Sequence, residues 1–307
     1  MTSVLAGFGA LIAVIAVGWV AGRVRVLGEE AAGVLSRLSF YVATPALLLL
    51  TLAEADPGVL ASPALVAIAG SALLCAAGYV ALARWRWRSP PGRLATGALA
   101  ASYVNSGNLG VPLTAYVLGD ASYVAPVLLF QVLALGPVGL SVLAGAREGV
   151  SRRRLLTQPL RTPIVLGCLA GLAIAAVGWR MPEPLTRPIE LIAALAVPAA
   201  LLAYGLNLHG APRPASGEGA GQVWLAVVLK VVVHPVLAYV LGRWVAGLDG
   251  VALLAVTLTS ALPTAQNVFV YAATYDQGTE LARDVVLLST VGSVPVLIGI
   301  ALLLSGT

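Results

Sequence analysis

Apolar stretches of roughly twenty residues follow one another along almost the whole chain, separated by short polar connectors. A membrane helix needs about 20 such residues, each rising about 1.5 Å, to cross the hydrocarbon layer. The pattern predicts ten spans, near residues 3–22, 31–53, 60–83, 94–118, 121–144, 162–180, 187–208, 222–245, 250–274 and 281–305. Two of them are interrupted. The fourth carries Asn105-Ser106-Gly107-Asn108-Leu109-Gly110-Val111-Pro112 near its centre, and the ninth carries Pro263-Thr264-Ala265-Gln266-Asn267. A broken helix frees backbone groups that hydrocarbon cannot satisfy, so such breaks persist only inside protein or beside a wet cavity. A matched pair, one in each half of the chain, points to a transporter binding site.

Composition agrees with the pattern. Of 307 residues 59% are hydrophobic and 10% charged, whereas a soluble domain carries about 25% charged residues. Mean hydropathy is +0.95. Cys75 and Cys168 lie inside apolar runs and read as small packing residues, not as a disulfide. Met1-Thr2-Ser3 brings no basic region, so the first run reads as a retained span rather than a cleaved signal. The net charge of +5 is a matter of topology. Alternating the connectors puts fourteen arginines on one side and three, Arg180, Arg187 and Arg243, on the other. The positive-inside rule then predicts a plasma (inner) membrane protein with both termini outside and the basic 145–161 connector in the cytoplasm. Gly210–Gly221, rich in Gly, Pro and Ser, reads as a flexible loop.

Five spans per half enter the membrane with opposite topology, and short matches support an inverted repeat of 1–144 and 162–307 around that connector. Thr44-Pro45-Ala46-Leu47-Leu48 matches Val197-Pro198-Ala199-Ala200-Leu201-Leu202, and Gly136-Pro137-Val138 matches Val294-Pro295-Val296. Aligning Asn108 with Asn267 sets Tyr116 opposite Tyr275 without a gap.

The candidate chemistry sits at the breaks. Gly107, Gly110 and Pro112 are expected to break the fourth span, and Pro263 the ninth. If the breaks cross, half-helix N-termini converge with free N–H groups and positive dipole ends, which suit an anion. Asn105, Asn108, Gln266 and Asn267 add uncharged donors and acceptors; they either touch substrate or cap the broken ends. Gln131, the lone strongly polar residue of the fifth span, serves packing or binding. Lys230 is the sole lysine, about 12 Å into the eighth span. A charge there costs at least about 2.5–3.5 kcal/mol and marks a pathway or a counter-ion. No acidic residue lies at that depth, which favours an anionic substrate as its partner; the competing role is bonding carbonyls freed by the breaks. His234, one turn further on, can share a cavity or a proton with it. An enzyme is excluded, since no span pairs carboxylates and the only histidines are His209 and His234. No Walker loop is present for ATP-driven pumping. No cofactor, metal or nucleic acid is expected, and a channel or sensor stays open as an alternative to a carrier.

Asn105-Ser106-Gly107-Asn108-Leu109-Gly110-Val111-Pro112-Leu113 resembles the fourth-helix motif of the auxin efflux carrier family. Leu262-Pro263-Thr264-Ala265-Gln266-Asn267, continuing through Tyr275, Leu288-Ser289-Thr290 and Pro295, is similar to that family's C-terminal signature. Lys230-Val231-Val232-Val233-His234-Pro235 resembles its eighth-helix pattern. The resemblance implies an all-α membrane fold of ten helices with crossing breaks in the fourth and ninth. It also implies a scaffold of spans 1, 2, 6 and 7 and a mobile core of spans 3–5 and 8–10. The implied activity is export or exchange of organic anions by an elevator motion, in a homodimer. The short connector after the fifth span is that of bacterial members, which are linked to malate, malonate and similar carboxylates. The bile acid sodium symporters resemble this fold and carry a Glu four residues before their ninth-helix Gln-Asn pair. Here that position is Leu262, which argues against a sodium site, because hard cations want charged oxygen ligands. Membrane potential alone, about 2.3 kcal/mol per charge per 100 mV, can expel an anion. The alternative is a sodium- or proton-coupled symporter, with His234 as the proton's candidate.

Overall fold

Long runs of Leu, Ala and Val without charges must satisfy their own backbone in lipid, and helices do so within one segment. The computed structural model describes residues 2–28, 30–54, 62–110, 113–114, 117–146, 163–210, 213–217 and 219–304, and among these every regular element is helical. The elements are α1 (Thr2–Arg23), α2 (Ala31–Ala53), α3 (Pro63–Trp87), α4 (Pro91–Ser102), α5 (Ser122–Gly145), α6 (Pro163–Val177), α7 (Glu183–Leu208), α8 (Ala220–Trp244), α9 (Gly250–Ser260), α10 (Gln266–Tyr275) and α11 (Thr279–Leu304). Six of them, α2, α3, α5, α7, α8 and α11, are long and apolar enough to cross a membrane. Their outward faces carry exposed Leu73, Val138, Val236, Val291 and Leu302, as a lipid-facing surface does. The protein is a multi-pass membrane protein.

Prolines inside three of these helices have a shared solution. In α2, α5 and α8 a π-turn, at Ser39–Ala43, Gln131–Leu135 and Leu229–Val233, immediately precedes Thr44-Pro45, Gly136-Pro137 and His234-Pro235. A proline ring collides with the carbonyl four residues back. In all three helices that carbonyl lies in the wider π-turn, which re-aims it. The helix therefore continues past the proline. At the ends, the Ser62 hydroxyl accepts the Ala64 N–H at 3.3 Å ahead of α3. Before α5 the Asp120 carboxylate accepts the Ser122 N–H at 2.8 Å, and that bond holds its carboxyl below the usual carboxylate range.

Glycines set the closest packing. α1 lies on α7 and α6 on α2. A Cβ on Gly18 would stand 2.6 Å from the Leu202 carbonyl, and one on Gly205 would stand 2.9 Å from Gly18 Cα. A Cβ on Gly167 or Gly171 of α6 would stand 2.5 Å from the Pro45 or Leu49 carbonyl of α2. Without a hydrophobic drive between helices in lipid, such small-residue contacts carry the association. α3 packs on α4 and α8, α8 on α9, α4 on α5, and α10 on α11.

Three expectations fall wholly or partly outside the description. Of the Gly210–Gly221 connector, residues 210, 213–217 and 219–221 are described, and in it the Ala215 N–H donates to Asp284 at 2.9 Å, while Asp284 pairs with Arg283 at 2.7 Å. A buried carboxylate draws donors from whatever chain passes it. Cys75 is a buried free thiol, while the Cys168 side chain lies outside the described residues. Most of the 145–161 connector lies outside them too.

Candidate functional site

Helix α4 stops at Ser102 and α9 at Ser260, and the extended residues after each stop lie side by side. Val104 and Thr264 form an antiparallel bridge. On one side of it the Asn105 N–H donates to the Pro263 carbonyl at 2.8 Å; on the other the Ala265 N–H donates to the Tyr103 carbonyl at 3.1 Å. Each break thus satisfies the groups freed by the other.

Side chains from two flanking helices complete the crossing. From α5, Gln131 Oε1 accepts the Val104 N–H, and Nε2 donates to the Val104 carbonyl at 3.1 Å and to Ser106 Oγ at 2.8 Å. From α11, Ser289 Oγ accepts the Thr264 N–H at 3.1 Å, and Thr264 Oγ1 donates to the Ala100 carbonyl at 2.7 Å. Gln131 stands six residues before Pro137 and Ser289 six before Pro295.

In front of the crossing lies a cavity of about 60 Å³, room for a few waters. Its walls are Tyr103–Gly107 of the fourth break, Ala265, Gln266 and Asn267 of the ninth, Leu128 and Val132 of α5, Thr44, Leu47 and Leu48 of α2, and Ala196 and Val197 of α7. Asn105 Nδ2 donates to Gln266 Oε1 at 3.1 Å and ties the breaks together at the wall. Helix α10 begins here without a side-chain cap, so its first turn presents backbone N–H groups and the positive dipole end.

The structure sorts the candidate residues. Asn105, Gly107, Gln266 and Asn267 line the cavity. Asn108 belongs to the π-turn Ser106–Gly110, but its side chain, like Pro112, lies outside the described residues. Gly107 and Gly110 do not break the fourth helix, because α4 has already ended at Ser102. The stop comes from the bridge, whose bonds to Pro263 and Ala265 replace helical ones. Gly110 serves packing: a Cβ there would stand 2.6 Å from Val124 Cγ2. Pro263 sits buried within the bridge.

Gln131 lies behind the crossing with its amide committed to Val104 and Ser106. Lys230 and His234 do not line the cavity either. Lys230 is fully buried, and its Nζ donates to the Ser260 carbonyl at 2.8 Å and lies 2.7 Å from His234 Nδ1. Of the two roles weighed for Lys230, the contact present is the bonding of a carbonyl freed by a break: its partners are neutral groups, and it caps the negative C-terminal end of α9. Residue reading did not assign Thr44, Tyr103, Val197 or Thr264 to the cavity or crossing. The Thr44-Pro45 and Val197-Pro198 matches signalled a repeat but not a wall.

A family model described as "Membrane transport protein" matches residues 8–142 and 150–301. The chain is 30% identical over 217 residues to a protein of Rhizobium meliloti (strain 1021) named "Putative malonate transporter", a match covering 67% of this chain and 65% of that relative's length. It is 24% identical over 283 residues, 92% of each chain, to an "Uncharacterized transporter" of Methanothermobacter thermautotrophicus.

Proposed function

This chain belongs to the membrane transport protein family, the auxin efflux carrier family that its fourth- and ninth-span motifs resemble, and we propose that it is a secondary carrier of small organic anions whose substrate binds in the cavity before the crossing. The uncapped start of α10, flanked by Asn105, Gln266 and Asn267, carries this reading. Backbone N–H groups and amides bind a carboxylate without a fixed counter-charge, and so release it readily. The name of the Rhizobium relative makes malonate the first candidate, with malate and auxin-like acids beside it.

The carrier works as an elevator, a core of α3–α5 and α8–α11 moving against a scaffold of α1, α2, α6 and α7. The cavity wall supports this division, since Thr44, Leu47 and Val197 come from the scaffold and the breaks from the core. Its small volume means that substrate enters only when the core shifts relative to α2 and α7. Packing also supports the ten-span inverted repeat: α1 on α7 and α6 on α2 exchange when the halves swap, as do α3 on α4 and α8 on α9. Both termini lie outside the inner membrane, the connector after α5 is cytoplasmic, and the working unit is a homodimer. Sodium plays no part, since Leu262 is buried in apolar packing against the Gly110 position.

Counterflow of radiolabelled malonate into proteoliposomes tests the reading. Saturable counterflow is expected, unchanged when choline replaces sodium, with the half-saturating malonate concentration raised at least tenfold in Asn267→Ala. Currents linear in concentration would make the protein a channel, and a lack of counterflow for malonate, malate and indole-3-acetate alike would overturn the substrate class.

A further inference from the structure

We propose that Lys230 and His234 together bind one proton, and that this proton travels with the anion. The inference rests on the carrier reading above. Both residues belong to α8, where the π-turn Leu229–Val233 meets Pro235, and they are 0% and 2% exposed. Their nitrogens stand 2.7 Å apart. At that distance one hydrogen lies between them. Two donors facing each other would repel, as would two lone pairs. In this geometry the pair is either neutral or carries a single added proton, shared between Nζ and Nδ1.

The surroundings hold that proton without neutralising it. Nζ also donates to the Ser260 carbonyl at 2.8 Å. His234 Nε2 and Ser260 Oγ, both buried, have no hydrogen-bond partner among the described residues, which leaves the pair a second polar face for exchange. The titratable side chain facing it from α3 is Cys75, whose thiol reaches the Leu229 carbonyl at 3.7 Å; Tyr79, a turn further, lies against Gly97. Helix α9 has no titratable side chain. The charged residues of α4 and α11, Arg93, Glu280, Arg283 and Asp284, cluster near their starts, where Arg93, Glu280 and Asp284 line a separate polar pocket.

No carboxylate therefore balances the proton, and the compensating charge is the anion in the cavity. Ser260, which receives the Lys230 bond, is five residues before Ala265 in the cavity wall. A proton on the pair and an anion at the start of α10 stabilise each other, and the coupling is reciprocal.

The chain has one lysine and two histidines. With ¹⁵N-labelled Lys and His and exposed His209 changed to Gln, each member of the pair gives its own NMR signals in nanodiscs. Lys230 Nζ and His234 are expected to move together in a single transition with pH; two independent transitions, or none, would overturn the shared proton whether or not malonate is a substrate. In proteoliposomes loaded with a pH dye, malonate entry is expected to acidify the lumen by about one proton per malonate, and His234→Gln to lower that ratio at least tenfold. Malonate entry without proton movement in the unmodified protein, or an unchanged ratio in the variant, would refute the coupling.

Discussion

Val104 and Thr264 meet in an antiparallel bridge at the point where two helices, far apart in sequence, both leave their helical paths. Each residue is held from behind by a different helix, Val104 by Gln131 of α5 and Thr264 by Ser289 of α11. The crossing is therefore a four-part structure, and its weakest points can be named.

Gln131 bonds three groups, the N–H and carbonyl of Val104 and the Ser106 hydroxyl. Gln131→Leu leaves all three buried and unpaired, at about 1–3 kcal/mol each. A stability loss of about 3 kcal/mol or more is expected from thermal unfolding in detergent. Ser289→Ala leaves one buried N–H, that of Thr264, unpaired and also removes a longer bond to the Val286 carbonyl at 3.3 Å; it is expected to cost about 1–3 kcal/mol, less than Gln131→Leu. Equal losses in the two variants would mean that Gln131 does not act as a triple clamp.

Asn105 and Gln266 are joined across the breaks at 3.1 Å. In a double-mutant cycle on stability, Asn105→Ala and Gln266→Ala are expected to couple by about 0.5–3 kcal/mol. Additive losses would show that the two amides act separately, each toward the cavity.

Gly18 and Gly205 let α1 and α7 touch along their backbones. The atoms that a Cβ would meet at Gly18 belong to the Leu202 and Gly205 backbones and cannot swing aside. Gly18→Val and Gly205→Val are each expected to cost at least about 1–3 kcal/mol through overpacking. Gly107→Ala, whose Cβ would meet nothing within 4 Å, is expected to leave the melting temperature nearly unchanged. Thermal unfolding of the three proteins side by side checks the contrast.

Tyr204 of α7 donates its hydroxyl to the Arg283 carbonyl of α11 at 2.7 Å, a bond between two helices that the proposed elevator assigns to scaffold and core. If the core moves, this bond breaks in each cycle. Its net worth of about 0.5–1.5 kcal/mol corresponds to a roughly two- to tenfold change in malonate counterflow rate in Tyr204→Phe. A rate equal to that of the unmodified protein would mean that α7 and α11 keep this contact throughout.

How much of this was legible in the sequence depends on how local the cause is. The expected span at 222–245 became α8 at Ala220–Trp244, and 281–305 became α11 at Thr279–Leu304. Pro263 stands three residues after the end of α9 at Ser260. In the fourth span the visible markers, Gly107, Gly110 and Pro112, pointed downstream of the true stop at Ser102. No residue type at 103–105 forbids a helix. The spans holding Pro45, Pro137 and Pro235 read as continuous, but the π-turn ahead of each of these prolines was not visible in the sequence.

The sequence by itself determined that the chain is a multi-pass membrane protein, roughly where its helices lie, and that polar interruptions sit in two of its spans. These follow from transfer of each segment out of water, a sum over neighbouring residues that needs no knowledge of the rest of the fold. Only the tertiary structure decided where α4 ends, that Gln131 clamps the crossing instead of facing the cavity, and that Lys230 answers to Ser260 and His234. In a medium without water, a polar group takes whichever partner packing brings within 3 Å. For Val104 and Lys230 those partners, Gln131 and Ser260, lie on other helices.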